Sequence, residues 1–359
     1  ILPASKTPHA VCSCKYHQEM DFIFQSLNKF ILRNEIKSLK DLTRNLTCST
    51  ENFECMNGDC SACYNFYSSF KDLISSSSLT VKTSLEHWDT SSIPRRIKTS
   101  MTVGQIVKKF RETLPAFKLH SYLANTQHQV FRKLKEELTE FEAIMQMDFS
   151  ENYTAVTQHE IQQAHFKANQ IALFTVSVTG RDFYKSYLVI SDETDHGKFA
   201  VWRFTKAVVD HLRRIQPKIT HVKYFTDGCA QQFKNIFTLS SLFFSKTDFG
   251  VTSEHHFMAT SHGKGPHDGL GGSFKRRVRE LVLSKNVNVT SAKEFYEASK
   301  SISNQTKVIN VSKAEVQSVK SMLNERWKNL KPMNGLRSCH VFKPLDNNEM
   351  KAAVSSAFD

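Results

Sequence analysis

The stretch Ala143-Ile144-Met145-Gln146-Met147-Asp148-Phe149 is a short apolar run that closes on an aspartate. It reads as a buried strand, and it marks the point where the period of the sequence changes from helical to strand-like. Two more short apolar runs follow, at 171–178 and 184–190. A helix is expected over 198–215, where Phe199, Val201, Trp202, Phe204, Val208, Val209 and Leu212 recur at helical spacing and Pro217 ends the element. A fourth strand is expected over 221–225, a helix over 231–245, a fifth strand over 252–259, then a glycine-rich loop and a helix over 270–283. This order predicts an α/β fold: a mixed five-stranded sheet with flanking helices, in which an antiparallel meander of three strands is extended by parallel strands through helical crossovers.

The chemistry concentrates where those strands end. Asp148 closes the first run, Asp227 follows Phe225-Thr226 and precedes Gly228, and Asp268 lies in Ser261-His262-Gly263-Lys264-Gly265-Pro266-His267-Asp268-Gly269. A carboxylate in an apolar strand is costly unless it is paired or metal-bound. Three carboxylates on neighbouring elements make the oxygen site that hard divalent cations prefer, and two Mg²⁺ (or Mn²⁺) ions held there can clamp both oxygens of an in-line phosphoryl transfer. Structural readings stand beside each residue. Asp148 can cap the turn after it, Asp227-Gly228 can be a plain turn pair, and Glu280 in the following helix is a rival third acid.

The glycine-rich loop permits close backbone approach to a phosphate, and Lys264, His262 and His267 offer cationic or proton-transfer groups there. Its spacing is not that of a Walker phosphate loop. Lys275, Arg276 and Arg277 follow one turn later, and Lys234 follows Asp227; all are candidates for contact with the phosphates of a polyanion. His165, His255 and His256 are weaker candidates, since a histidine near a core is usually only hydrogen-bonded.

Around this core, 48 Lys and Arg against 35 Asp and Glu leave a formal charge of +13, which favours a polyanionic partner and makes nucleic acid the natural candidate. No run of eighteen apolar residues suggests a membrane span, and the chain begins at Ile1, which leads to the expectation of a fragment or processed product. Six of the eight cysteines fall in the first 63 residues. Cys14-x₂-His17 and Cys60-x₂-Cys63 have spacing that suits tetrahedral zinc, with Cys48 and Cys55 as ligands of a second ion or replacements in the first. Four segments are expected: a mostly helical, Cys-rich zinc module at 1–80, a helical basic linker at 81–141 with an interruption near Pro115, the α/β core at 142–285, and a helical appendage at 286–359.

The strings Asp148-Phe149-Ser150-Glu151-Asn152-Tyr153, Gln158 to His165, Thr226 to Asn235 and Ala259 to Gly272 resemble a group of transposon-derived proteins. These are similar to DDE/D transposases with a ribonuclease H-like catalytic core. The resemblance spans about residues 103–283, and the Cys48 to Cys63 cluster is similar too. It implies a ribonuclease H-like sheet, Asp148, Asp227 and Asp268 as the catalytic acids, and metal-dependent DNA cleavage and strand transfer. It further implies transposon ends and target DNA as partners, a homo-oligomer, and a nuclear location. A ribonuclease H-like nuclease without strand transfer, or a silent DNA-binding or zinc-dependent interaction protein on the same fold, remain the alternatives.

Overall fold

The computed structural model describes residues 14–32, 35–63, 73–91, 93–155, 169–263, 265–285, 287–345 and 349–356. The chain divides into two units, 1–126 and 127–359, and the division falls inside one long helix.

In the first unit, helix α1 (Lys15–Leu27) starts at Cys14, whose sulfur accepts from the His17 N–H, and it buries Met20, Ile23, Phe24 and Leu27 at helical spacing. Two short helices follow, α2 (Leu39–Asn45) capped by Ser38 and α3 (Phe53–Asn57) capped by Asn52. Strands β1 (Lys82–Asp89) and β2 (Arg95–Thr102) pair in antiparallel register from Lys82↔Thr102 to Asp89↔Arg95. This hairpin lies where a helical linker was expected. Only Leu85 of its residues is buried, so its strands carry no apolar alternation that would betray them in the sequence. Helix α4 (Val103–Glu136) runs unbroken through Pro115, where an interruption was expected. Buried Phe110, Leu114 and Phe117 pack with α1 and α2 on both sides of the proline, and that packing offsets the lost backbone bond.

The second unit is built on one mixed sheet. Its strands are β3 (Glu142–Thr154), β4 (Gln170–Gly180), β5 (Tyr184–Ser191), β6 (His221–Thr226), β7 (Thr252–Phe257), β8 (Thr306–Asn310), β9 (Val341–Pro344) and β10 (Met350–Ala353). They lie in the order β10-β9-β7-β6-β3-β4-β5-β8. The meander β3–β4–β5 is antiparallel, while β6 runs parallel to β3, β7 to β6 and β8 to β5. The sheet therefore has eight strands where five were expected. The additional three come from residues beyond 286: β8 extends the edge at β5, and β9 with β10 covers the opposite edge at β7, which leaves neither of those two edges open.

Both faces are buried, as alternation along β4 makes plain. Ala172, Phe174, Val176 and Val178 lie on one face, and Phe174, Val176 and Val178 join a core with helices α5 (Lys198–Ile215) and α10 (Lys313–Trp327). Ile171 and Leu173 face the other way, toward Phe274, Val278 and Val282 of helix α8 (Pro266–Lys285) and Phe295 of α9 (Ala292–Lys300). Helix α6 (Ile236–Phe243) begins five residues later than expected because Asn235 caps it, its side chain accepting from the Thr238 N–H at 2.9 Å. A single turn of helix, α7 (Ser245–Phe249), leads to β7.

Candidate metal centres

Along β3 the residues Ala143, Met145 and Met147 enter the core beneath α5, so Ile144, Gln146, Asp148 and Ser150 form the row on the opposite face. Strand β3 pairs with β6 from Glu142↔His221 to Gln146↔Phe225. Continuing this register by two residues sets Asp148 beside Asp227, the first residue beyond β6. The third carboxylate arrives on α8. A Cβ at Gly271 would lie 2.5 Å from Ser150 Oγ and 2.6 Å from Ser150 Cβ, so bare backbone is what seats the helix on the strand. Asp268, three residues earlier on that helix face, thereby comes over Asp148, two residues earlier on the strand. Asp148, His267 and Asp268 each offer a ligand atom, all within 4.8 Å of one another.

The electrostatics of the group are those of crowded like charges. Burial pushes Asp148 up to about 7, and the charges of Asp227 and Asp268 act in the same direction; the Phe149 N–H, donating to Oδ1 at 2.7 Å, opposes them. Burial also raises Asp227, opposed by the Cys229 N–H at 3.0 Å and reinforced by Asp268. His267 is buried, and burial lowers its pKa against the pull of Asp268 and Asp227. Its Nδ1 meets no hydrogen-bond partner among the described residues, while Nε2 lies 3.7 Å from Asp268 Oδ2. Gly265 leaves room for that ring, since a Cβ there would stand 2.8 Å from it, and its N–H donates to Asp268 Oδ2 at 2.6 Å. Carboxylates with one imidazole are a donor set that could hold a metal ion, and a cation there would reverse the repulsion.

Glu280, the rival acid, is not part of this group. It lies twelve residues past Asp268 on α8, about 18 Å along the axis, where it is exposed and pairs with Arg276 at 3.8 Å. Of the candidate DNA contacts, Lys264 and the weaker candidate His165 lie outside the described residues. Lys234 is buried: its ammonium donates to the Arg337 carbonyl at 2.8 Å, and burial lowers its pKa to about 8, so it is an internal cation rather than a surface one. Lys275 donates to the Glu151 carbonyl at 3.1 Å, and exposed Arg276 and Arg277 share the outer side of α8. His255 and His256 are core residues, held by Thr226 at 2.9 Å and by Ser356 at 2.8 Å.

In the first unit, Cys48, Cys55, Cys60 and Cys63 bring four sulfurs together within 4.8 Å. The Cys63–Cys48 and Cys48–Cys60 separations are 3.4 and 4.0 Å, bracketing the about 3.8 Å that a tetrahedral ion with 2.3 Å zinc–sulfur bonds requires. All four are free thiols. The Cys63 backbone N–H lowers Cys60 to about 7, whereas the shared hydrogen bond with Cys63 pushes Cys48 up to about 12. This group could hold zinc, and fully buried Lys118 feels all four sulfurs. Cys14 and His17, expected to act with Cys60 and Cys63, form a separate group instead.

The profile of the family described as "Domain of unknown function (DUF8701)" matches residues 127–356, which is nearly the whole second unit. The chain belongs to the DUF8701 family. No curated protein matches this DUF8701 chain. Among solved structures it is similar to "Crystal structure of NurA with manganese", at 10% identity and a TM-score of 0.18, covering 68% of this chain and 51% of that one. The chain thus spans about half the length of that structure.

Two features of this DUF8701 chain were hidden in its sequence. His120 reads there as one more polar residue on a helix face, and nothing in its neighbours ties it to Cys14. The seating of α8 on Ser150 through Gly271 is a contact across 121 positions, visible only once the helix packs.

Proposed function

We propose that this chain is a metal-dependent phosphoryl-transfer enzyme acting on DNA, a DDE/D-type transposase or a transposon-derived descendant, and that β3 to β7 with their helices form a ribonuclease H-like core. One observation carries the reading. Asp148 and Asp268 offer ligand atoms within 4.8 Å of each other; Asp227, just past the strand parallel to β3, lies outside that set, yet its charge and that of Asp268 both act on Asp148. The strand order β5-β4-β3-β6-β7 and the positive surplus of the chain support it.

Two Mg²⁺ or Mn²⁺ ions, when bound, supply the Lewis acidity that activates the attacking oxygen and steadies the leaving one. The chain's own residues do the rest. Asp148 and Asp227 are anchored by the backbone N–H groups of Phe149 and Cys229, which fixes the direction of their free oxygens. His267 Nδ1, which meets no hydrogen-bond partner among the described residues and whose ring burial disfavours protonation, is placed to take a proton or to serve as a further ligand. Arg276 and Arg277 on the exposed side of α8 supply cations for the DNA backbone.

The test is incubation of the protein with labelled DNA and Mg²⁺ or Mn²⁺, beside Asp227→Asn. Metal-dependent nicking that the variant lacks is the expected result, with joined products marking strand transfer. Nicking without joined products would reduce the function to hydrolysis, and salt-sensitive binding without any cleavage would overturn the enzymatic reading.

A further inference from the structure

We propose that the first unit holds a second transition-metal centre, separate from the four-cysteine group, with Cys14, His17 and His120 as its protein ligands. Cys14 is 1% exposed and caps α1, so its sulfur sits at the positive end of a helix. The three-residue spacing places His17 on the same turn, with Nδ1 2.9 Å from Cys14 Sγ. His120 reaches in from α4, with Nε2 3.3 Å from that sulfur. Ligand atoms of all three residues lie within 4.8 Å of one another.

The surroundings are built as metal centres are. A ligating histidine ordinarily gives its second ring N–H to a nearby oxygen, which fixes the tautomer that leaves the other nitrogen free to bind. His17 does this: with Nδ1 toward Cys14, its Nε2 lies 3.3 Å from Ser121 Oγ. The His120 ring is stacked on Tyr16 at 4.5 Å, which holds its plane. An ion with usual zinc bond lengths would set each sulfur–nitrogen separation near about 3.6 Å, and the observed 2.9 and 3.3 Å require only a small opening of the group. One thiolate and two imidazoles suit zinc, and they leave one tetrahedral position for water or another donor.

This inference is independent of the DNA chemistry proposed above, and its test avoids that site. In the full chain carrying Asp227→Asn, zinc per chain is measured by elemental analysis for the parent, for His120→Ala and for His120→Cys. Cobalt replacement gives a second readout, because charge-transfer absorbance scales with the number of thiolates on the metal. The expected result is a loss of one equivalent in His120→Ala. Its cobalt absorbance falls by one sulfur's share in five, since the proposed centre contributes one thiolate, Cys14, beside the four of the four-cysteine group. His120→Cys keeps the equivalent and raises the absorbance. Unchanged zinc and cobalt absorbance in His120→Ala would overturn the proposal, leaving thiol–imidazole hydrogen bonds alone. Loss of both metals in His120→Ala together with retention of both in His120→Cys supports it, because only a ligand at 120 is then restored.

Discussion

Asp148→Asn isolates a charge. The amide keeps an acceptor for the Phe149 N–H and nearly the same shape, so what changes is the carboxylate. Burial, Asp227 and Asp268 together bring Asp148 from 3.8 to about 7. That is about 3 units, or a ceiling of about 4 kcal/mol. The side chain is only half-buried, and solvent screening brings the figure to about 1–2 kcal/mol. The sign follows from proton counting. The folded pKa lies above the unfolded one, so the native state binds more protons between pH 4 and 7 and stability falls as pH rises through that window. Above pH 7 the full penalty is present in metal-free protein. The variant lacks it and is expected to melt about 3–6 °C higher than the parent at pH 8 in chelator, with the gap closing toward pH 4. Manganese should reverse the order: at a hundred times its dissociation constant the parent gains about 2.7 kcal/mol and the variant little. Thermal melts at both pH values, with and without Mn²⁺, read all of this. A variant less stable than the parent at pH 8 in chelator would refute the reasoning, because Asp148 would then be a structural cap whose charge the fold uses.

Further outcomes follow from the same geometry. Gly271→Ala puts a methyl group against Ser150 and should cost about 1–3 kcal/mol; it should also weaken Mn²⁺ binding in calorimetric titration without touching a ligand, and adding Ser150→Gly should restore both. Mn²⁺ affinity should rise between pH 6 and 8 as Asp148 gives up its proton, and this slope should flatten in Asp148→Asn when titrated across that range. Cys63→Ser should lose the zinc of the four-cysteine group and expose the first unit to limited proteolysis, whereas the sheet of the second unit stays protected. If the chain acts on DNA, replacing both Arg276 and Arg277 by alanine should reduce the slope of log affinity against log salt, measured by fluorescence anisotropy, by about 0.9 for each phosphate that is no longer neutralised.

Much of the second unit was legible because its elements carry strong local signals. The helix Lys198–Ile215 is found at the expected bounds, since its apolar stripe is continuous and Pro217 follows its end. The strand holding Asp148 and the strand that Asp227 follows were legible as apolar runs, although β3 extends past its apolar part to Thr154 by pairing with β4 across an irregular register. Strands β9 and β10 were not legible. Each is four residues long, and each is fixed by pairing at a sheet edge rather than by its own pattern. The hairpin β1–β2 failed for the opposite reason: its polar, exposed strands are held by cross-strand pairs such as Glu86 with Arg96 and Lys98. At the site, the aspartates were visible as carboxylates in the wrong company; the glycine-rich loop favoured Asp268 over Glu280, and the course of α8 sets Glu280 about 18 Å farther along the helix. The grouping of Cys14 and His17 with His120 rather than with Cys60 and Cys63 depends on how α1 meets α4, which no spacing encodes.

Other acids of the second unit show what a structural carboxylate looks like in this chain. Asp248 takes two bonds from Arg326 and one from Trp202. Glu142 is half-buried, and against that burial its bond from Lys223 holds its pKa below the usual range. Glu254 is buried, yet against that burial its bond with His256 brings it down to about 2. Each of these acids has a cationic or ring N–H partner, and each stabilises the fold through it. Asp148 and Asp227 differ in kind: among the described residues neither is paired with a lysine or arginine, and both have raised pKa values. A fold that pairs Asp248, Glu142 and Glu254 with cationic or ring N–H partners and leaves these two with raised pKa values, near a third carboxylate and an orphaned imidazole nitrogen, sets aside stability at one place. A cation bound there would return that stability. The sheet can carry the deficit because the site occupies one row on one face near the ends of β3 and β6, while the opposite row, with Met145 and Met147, keeps its full burial under α5.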